Sequence, residues 1–266
     1  MIKGISIGNY YAGNSIIHKL DPRTKIIFGL GIIISLFLIN NHWILLWIAG
    51  IYSILVLLAG LSIGYVFRGL KVIFIVAFFI FLMHLFITPG YVIANLGPLS
   101  ITREGFDRGI IMSLRLLLLI GVSVLLTATT PPLRLTDGLQ SLMAPLKRVK
   151  VPTSELALMV SIALRFIPTF ASETERIIKA QSSRGVDFYS GSIKERLENV
   201  VPILVPLFIS SFKRADDLAT AMEARCYRGE EGRTKLHPLK YGAADLVAFV
   251  MLVVFIGVVV VLRNMW

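Results

Sequence analysis

The chain has 266 residues, 56% of them hydrophobic and 16% charged, with a mean hydropathy of +0.78. That balance excludes an ordinary soluble domain, and apolar runs near about twenty residues make the chain an integral membrane protein. Its formal net charge is +11, which in a membrane protein marks the cytoplasmic side of the bilayer rather than a nucleic-acid partner.

Backbone groups in lipid must be paired internally, and the apolar runs do not alternate, so the spans are helices and not barrel strands. The first 25 residues are polar and rich in Gly, Asn and Tyr, and no cleavable signal peptide is expected. Five spans are predicted, over residues 24–41, 44–61, 70–88, 109–129 and 243–262. Asn40, Asn41 and His42 form the turn between the first two. Residues 89–107 read as a loop with turn residues Pro89, Gly90 and Pro98. Arg115 falls inside the fourth span, where it either snorkels to the outer interface, pairs within the bundle or serves function.

Between spans four and five, residues 130–241 are more hydrophobic than a soluble domain and are expected not to cross the membrane. A short helix is predicted around residues 135–147. Pro152, Thr153, Ser154 and Glu155 then start a helix that runs to Arg184 and is ended by Gly185. Its first half is apolar, broken by Arg165 and Pro168, and its second half is polar. Ser192 and Glu195 form a capping box for the next helix, predicted to reach Tyr227 or Arg228. Pro202 and Pro206 are expected to kink it. The expected division is a four-span bundle over 1–129, a coupling domain over 130–241 and a final helix over 242–266.

Orientation follows from the basic residues. Lys3, Lys19, Arg23 and Lys25 precede the first span, and Arg68 and Lys71 lie between the second and third. Residues 130–241 carry 17 Lys plus Arg against 12 Asp plus Glu. Alternating spans put all three on one side, the cytoplasm. The N-terminus is then inside and the C-terminus outside.

Candidate chemistry is sparse. Residues 8–15 approach a P-loop pattern but lack its lysine and follow no apolar strand, so ATP binding by this chain is not expected. His18, His42, His84 and His237 lack metal-ligand spacing, and no catalytic arrangement is legible. Two sites stand out instead. Ser183-Arg184-Gly185 and Ala224-Arg225-Cys226 each place an arginine between small residues at a helix end. A cation there complements the helix dipole by about 0.3–1 kcal/mol, which is one account of each arginine alone. The repeat at both long helix ends favours another, a permanently charged tip that enters an acidic groove of a partner. The apolar run around Leu204 and Phe208 is too short to span and, with Leu156, is read as a docking platform against a membrane-embedded partner.

Taken together, His18 to Lys25 before the first span, Arg165-Phe166-Ile167-Pro168, and the two arginine tips resemble the T component of energy-coupling factor (ECF) transporters. The resemblance covers most of the chain. It implies an all-α membrane protein with a coupling region of long kinked helices. It implies docking of Arg184 and Arg225 on two ABC-type ATPase subunits, which bind the ATP, and of the platform on a membrane-embedded substrate-binding subunit. It also implies a non-catalytic subunit of a vitamin or micronutrient importer in the bacterial cell membrane. The family's Ala-Arg-Gly pattern is altered here by Ser183 and Cys226, and Arg228, followed by Gly229, competes for the second tip with Arg225, which is preferred because its flanking pattern matches the first motif. The stretch from 221 to 229 most resembles the subclass shared among several substrate-binding subunits. A self-sufficient secondary transporter and a membrane-protein insertion or scaffold factor are the other classes open to such a sequence.

Overall fold

The computed structural model describes residues 10–96, 99–188, 192–229 and 238–265. Contacts divide the chain into two compact units. One is formed by Gly8–Leu142 with Leu239–Trp266, and the other contains Met143–Pro238.

The first unit is a helical bundle. Its helices are α1 (Ile16–Lys19), α2 (Pro22–Leu38), α3 (His42–Leu58), α4 (Ile63–Ile87), α5 (Arg103–Thr129), α6 (Pro132–Leu142) and α9 (Ala243–Met265). Polar caps set the starts. Ser15, Asp21, Asn41, Ser62 and Thr102 each accept a backbone N–H from the first turn of α1 to α5 in that order, which satisfies donors that the helix leaves unpaired. The core joins Ile32 and Leu36 of α2, Leu45 and Ile48 of α3, Leu118 and Val122 of α5, and Phe255 and Val259 of α9. Small residues let α4 and α5 approach closely, as packing in lipid requires. A Cβ on Gly105 would stand 2.6 Å from the His84 carbonyl oxygen, so this glycine admits no side chain. Ser113 donates to the Ala77 carbonyl at 2.8 Å across the same interface. The outward faces carry exposed Leu57, Phe74, Phe78 and Val253, the surface expected of a body bathed in lipid.

The all-α membrane architecture stands, with differences in the spans. Among the described residues, four helices are long and apolar enough to cross a membrane: Gly64–Ile87, Arg103–Thr129, Thr153–Ser183 and Ala243–Arg263. The α2 and α3 helices have 17 residues each, about 25 Å at about 1.5 Å per residue, short of a hydrocarbon core about 30 Å thick. Spans three and four begin earlier than residues 70 and 109, because the Ser62 and Thr102 caps recruit Arg68 and Arg108 into the helices. The predicted loop over 89–107 instead contains an antiparallel hairpin, β1 (Val92–Leu96) with β2 (Leu99–Thr102), and then the first turn of α5. The expectation that nothing within 130–241 is long and apolar enough to span is also corrected. Thr153–Ser183 is long and apolar enough, although it is the least apolar of these four. Its proline does not divide it.

In the second unit, a 3₁₀ turn (Ala144–Val149) leads to α7 (Thr153–Ser183) and α8 (Ile193–Ala224). The helix predicted over 135–147 is therefore split. Pro145, at the start of the 3₁₀ turn, has no N–H to continue an α-helix. The α7 helix has 31 residues with Pro168 inside, and α8 has 32 with Pro202 and Pro206 inside. The capping box is formed as expected, with Glu195 N–H donating to Ser192 Oγ and Ser192 N–H donating to Glu195 Oε2. The end of α8 falls at Ala224, three residues short of Tyr227, because the chain turns left-handed at Cys226.

Candidate functional site: two arginine-capped helix ends

Arg184 is the C-cap of α7 and Arg225 is the C-cap of α8, with φ, ψ of −89°, 3° and −93°, 14°. The next residue is left-handed at both ends, with φ +91° at Gly185 and +57° at Cys226. The hydrogen bonds repeat as well. Gly185 N–H donates to the Ser182 carbonyl at 3.0 Å and Val186 N–H to the Gln181 carbonyl at 3.1 Å. At the second end Cys226 N–H donates to the Glu223 carbonyl at 2.8 Å and Tyr227 N–H to the Met222 carbonyl at 3.0 Å. Both are Schellman closures, which pair the last helical carbonyls and turn the chain sharply away.

This pairing selects Arg225 as the structural counterpart of Arg184. Arg228 lies three residues past the cap, outside the helix. Ser183, Arg184, Gly185, Ala224, Arg225 and Cys226 are all exposed. A Cβ on Gly185 would meet nothing within 4 Å, so that glycine answers to backbone conformation and not to crowding. Ser183 Oγ turns back to the Lys179 carbonyl at 3.0 Å. Among the described residues, neither guanidinium has an ion pair or a hydrogen bond. Each tip is an exposed cation at the end of a long helix, able to donate bidentately to a carboxylate.

The two stalks are joined part-way along. Arg214 Nη2 donates to Glu173 Oε2 at 2.6 Å, and Ser210 Oγ donates to Glu173 Oε1 at 2.9 Å. Near the other end of α8, Asn199 Nδ2 donates to the Asp187 carbonyl at 2.7 Å. Sequence reasoning placed Glu173 in the polar second half of its helix but missed this pin. A charge pair between two helices has no local spacing rule, so only the Ser210 and Arg214 spacing of four residues hinted that one carboxylate serves both.

Leu204 and Phe208 lie on an exposed stripe of α8 that runs Leu197, Val201, Leu204, Val205, Phe208, Ile209 and Phe212. Phe208 is 64% exposed and packs beside Phe212 with ring centroids 5.4 Å apart. The spacing of three and four residues is one helical face. Leu156 belongs to a second exposed stripe on α7, with Met159, Val160 and Ile167. An apolar face of this size left bare is a surface for lipid or for a partner.

The His18 to Lys25 stretch builds a buried polar knot in the bundle. Lys25 Nζ donates to the carbonyls of His18 and Thr129 and to Thr130 Oγ1, at 3.2, 3.0 and 3.0 Å. Asp245 Oδ1 accepts from Asp21 N–H at 2.9 Å, and its Oδ2 accepts from Gly242 N–H at 2.8 Å. Arg23 donates to the Leu239 carbonyl at 3.0 Å and lies 4.7 Å from the centroid of the Tyr241 ring. The motif thus ties the start of α2 to the end of α5 and the start of α9.

The model of the CbiQ cobalt transport protein family matches residues 13–236. The energy-coupling factor transporter transmembrane protein of Ruminiclostridium cellulolyticum is 50% identical over 263 residues, covering 99% of this chain and 98% of that one. Its counterpart in Bacillus subtilis is 45% identical over 267 residues, 99% of this chain and 100% of that protein. The chain belongs to the family of energy-coupling factor transporter transmembrane proteins. Membership makes it a multi-pass membrane component of an ECF transporter, which the long apolar helices support.

Within this ECF component the histidines have structural surroundings. His18 Nε2 faces the Tyr11 carbonyl at 2.9 Å and so carries a proton, while Nδ1 lies 2.7 Å from Ser15 Oγ. His84 Nδ1 is 3.3 Å from Thr88 Oγ1, and His237 lies outside the described residues, as do Gly8 and Asn9 of the P-loop-like run. Arg115 pairs within the bundle, donating to the Ile39 carbonyl and to Asn40 Oδ1. It closes the end of α2.

Proposed function

We propose that this chain is the non-catalytic coupling subunit of its ECF transporter. It transmits movement from two ABC-type ATPase subunits, which hold the ATP, to one membrane-embedded substrate-binding subunit that takes up a vitamin or micronutrient. The observation that carries this reading is the repeated helix end. Two arginines in the same cap geometry, both exposed and unpaired among the described residues, fit two copies of one kind of acidic groove. A tip closed by a Schellman turn leaves no further helix in the way of a groove wall. The small neighbours Ser183, Gly185, Ala224 and Cys226 permit close approach.

In this reading residues 130–241 lie on the cytoplasmic side with the N-terminus, and the C-terminus is outside. The excess of Lys and Arg in that segment supports it. The apolar half of α7 then rests against lipid or a partner instead of crossing, since its polar half carries Glu173, Glu175, Arg176 and Lys179. The stripe through Leu204 and Phe208, with Leu156, forms the platform for the substrate-binding subunit.

Charge reversal at the tips tests the proposal. Removing one partner of a docked charge pair commonly costs about 2–5 kcal/mol. Arg184→Glu or Arg225→Glu lowers co-purification of the ATPase subunits, and the double variant abolishes it while membrane insertion persists. Wild-type recovery of the ATPases with the double variant overturns the docking role. Leu204→Glu with Phe208→Glu is expected to release the substrate-binding subunit and leave the ATPases attached. Retention of both partners removes the platform assignment.

A further inference from the structure

The bundle unit contains two adjoining hollows of opposite character. The larger, ≈ 390 Å³, is lined mainly by apolar side chains, among them Phe28, Ile32, Leu55, Val122, Leu126 and Met251. Its volume falls in the range of about 300–1,000 Å³ usual for sites that enclose a small ligand. The smaller, ≈ 280 Å³, is polar and includes Tyr10, Asn14, Lys19, Thr130 and Arg134. Leu20, Lys25 and Thr129 line both, so the two meet at the buried lysine.

The electrostatics of the polar hollow are one-sided. Lys19, Lys25 and Arg134 line it, and among the described residues no carboxylate does. Lys25 is 8% exposed, and its three hydrogen bonds go to uncharged acceptors. The nearby carboxylates, Asp245 and Asp21, act on Lys25 through space without contacting it. Both oxygens of Asp245 accept backbone N–H groups, and Asp21 Oδ1 accepts from Arg23 N–H with Arg23 Nε at 3.5 Å. Lys19 and Arg134 are exposed and make no ion pair or hydrogen bond among the described residues. A buried cation without a contacting counter-ion is costly unless an anion completes the site.

We propose that these hollows bind one anionic glycerophospholipid, its phosphate between Lys19 and Arg134 beside Lys25 and one acyl chain in the apolar hollow. The guanidinium of Arg134 offers a fork matched to phosphate oxygens, and the Lys19 ammonium adds a point charge. Basic pockets among membrane helices on the cytoplasmic side recognise anionic headgroups in this way, because that leaflet carries the anionic lipids. A free phosphate would satisfy the cations but would leave the apolar hollow unfilled. The joining of the two is what selects a lipid. Bound there, the lipid bridges α1, α2, α5, α6 and α9 at the knot that anchors the last helix to the first.

The test uses the full chain within its transporter, extracted in mild detergent and examined by native mass spectrometry. A parallel arm uses nanodiscs of phosphatidylcholine alone or mixed with phosphatidylglycerol. Wild-type protein is expected to retain phosphatidylglycerol in preference to phosphatidylcholine, and to melt at higher temperature in the mixed discs. Lys19→Ala with Arg134→Ala, both at exposed positions, lowers the bound fraction by about tenfold or more, as expected for about 1 kcal/mol from each of two cations. Ala248→Phe, which fills the apolar hollow from α9, lowers it as well; should that variant misfold, the cation pair decides alone. Millimolar inorganic phosphate in phosphatidylcholine discs is expected to leave the melting temperature unchanged. The proposal is overturned if the two lipids bind equally, if the cation variant keeps wild-type occupancy, or if inorganic phosphate alone reproduces the stabilisation.

Discussion

Glu173 of α7 and Arg214 of α8 are joined by an ion pair of 2.6 Å, and each lies eleven residues before the arginine that caps its own helix. At about 1.5 Å per residue, the pin sits about 16 Å along the helix from Arg184 and from Arg225 alike. Equal arms on the two helices mean that a force on either tip acts at the same distance from the junction. Both partners are part-exposed, so the pair contributes only about 0.2–1 kcal/mol to stability. Its expected importance is geometric. Glu173→Gln or Arg214→Gln is predicted to lower melting temperature little and to reduce substrate uptake per ATP hydrolysed several-fold. Swapping the two charges, Glu173→Arg combined with Arg214→Glu, restores part of the loss. Uptake and ATPase rates measured on the same reconstituted transporter check this, and unchanged uptake in the single variants refutes it.

The two candidate arginines at the end of α8 are predicted to behave differently. Arg225→Ala weakens ATPase co-purification as much as Arg184→Ala does. Arg228→Ala, beyond the cap, weakens it by less than about threefold, as a rim charge does. The reverse order moves the second tip to Arg228.

Cys226 holds a left-handed backbone that costs a side-chain-bearing residue about 1 kcal/mol or more. Cys226→Gly is therefore expected to be neutral or stabilising by about 1 kcal/mol, with docking intact. Gly185→Ala, at φ +91°, is expected to cost about 1 kcal/mol and to loosen the first tip. Thermal unfolding and ATPase pull-down of both variants give the signs.

The polar knot is predicted to be the costliest site to disturb. Asp245→Ala strips the acceptors from Asp21 and Gly242, and Lys25→Met strips the donor from Thr129 and His18. Hydrogen bonds to charged groups contribute about 1.5–3 kcal/mol each. Either variant should lower the melting temperature in detergent by several degrees, and Asp245→Asn, which keeps an acceptor, by less. A melting temperature unchanged in Asp245→Ala would show that the knot carries no stability.

Topology is predicted to place the start of α8 inside the cell. A cysteine at Lys194, in a Cys226→Ser background, should resist impermeant thiol reagent in intact cells and react after permeabilisation. External labelling would make α7 a true span, consistent with its length and hydropathy, and would put Arg184 on the wrong side for cytoplasmic ATPases.

Local chemistry accounts for what is legible in the sequence. Hydropathy marked the apolar helices, because a run of about twenty apolar residues has one stable fate in lipid. Capping signals marked the ends of α7 and the start of α8 almost to the residue, because Gly185 and the Ser192–Glu195 pair act through bonds within a few positions of themselves. The tertiary structure decided the rest. The flanking pattern already favoured Arg225 over Arg228, but the αL turn at Cys226, which ends α8 short of Tyr227, leaves no composition signal, since cysteine is not a usual left-handed residue. The partner of Glu173 is 41 residues away in sequence, and that of Asp21 is 224 away. Pairing across such distances depends on how helices pack, which no spacing rule encodes. The polar knot and the hollows around Lys25 likewise exist only where the starts of α2 and α9 and the end of α5 are brought together.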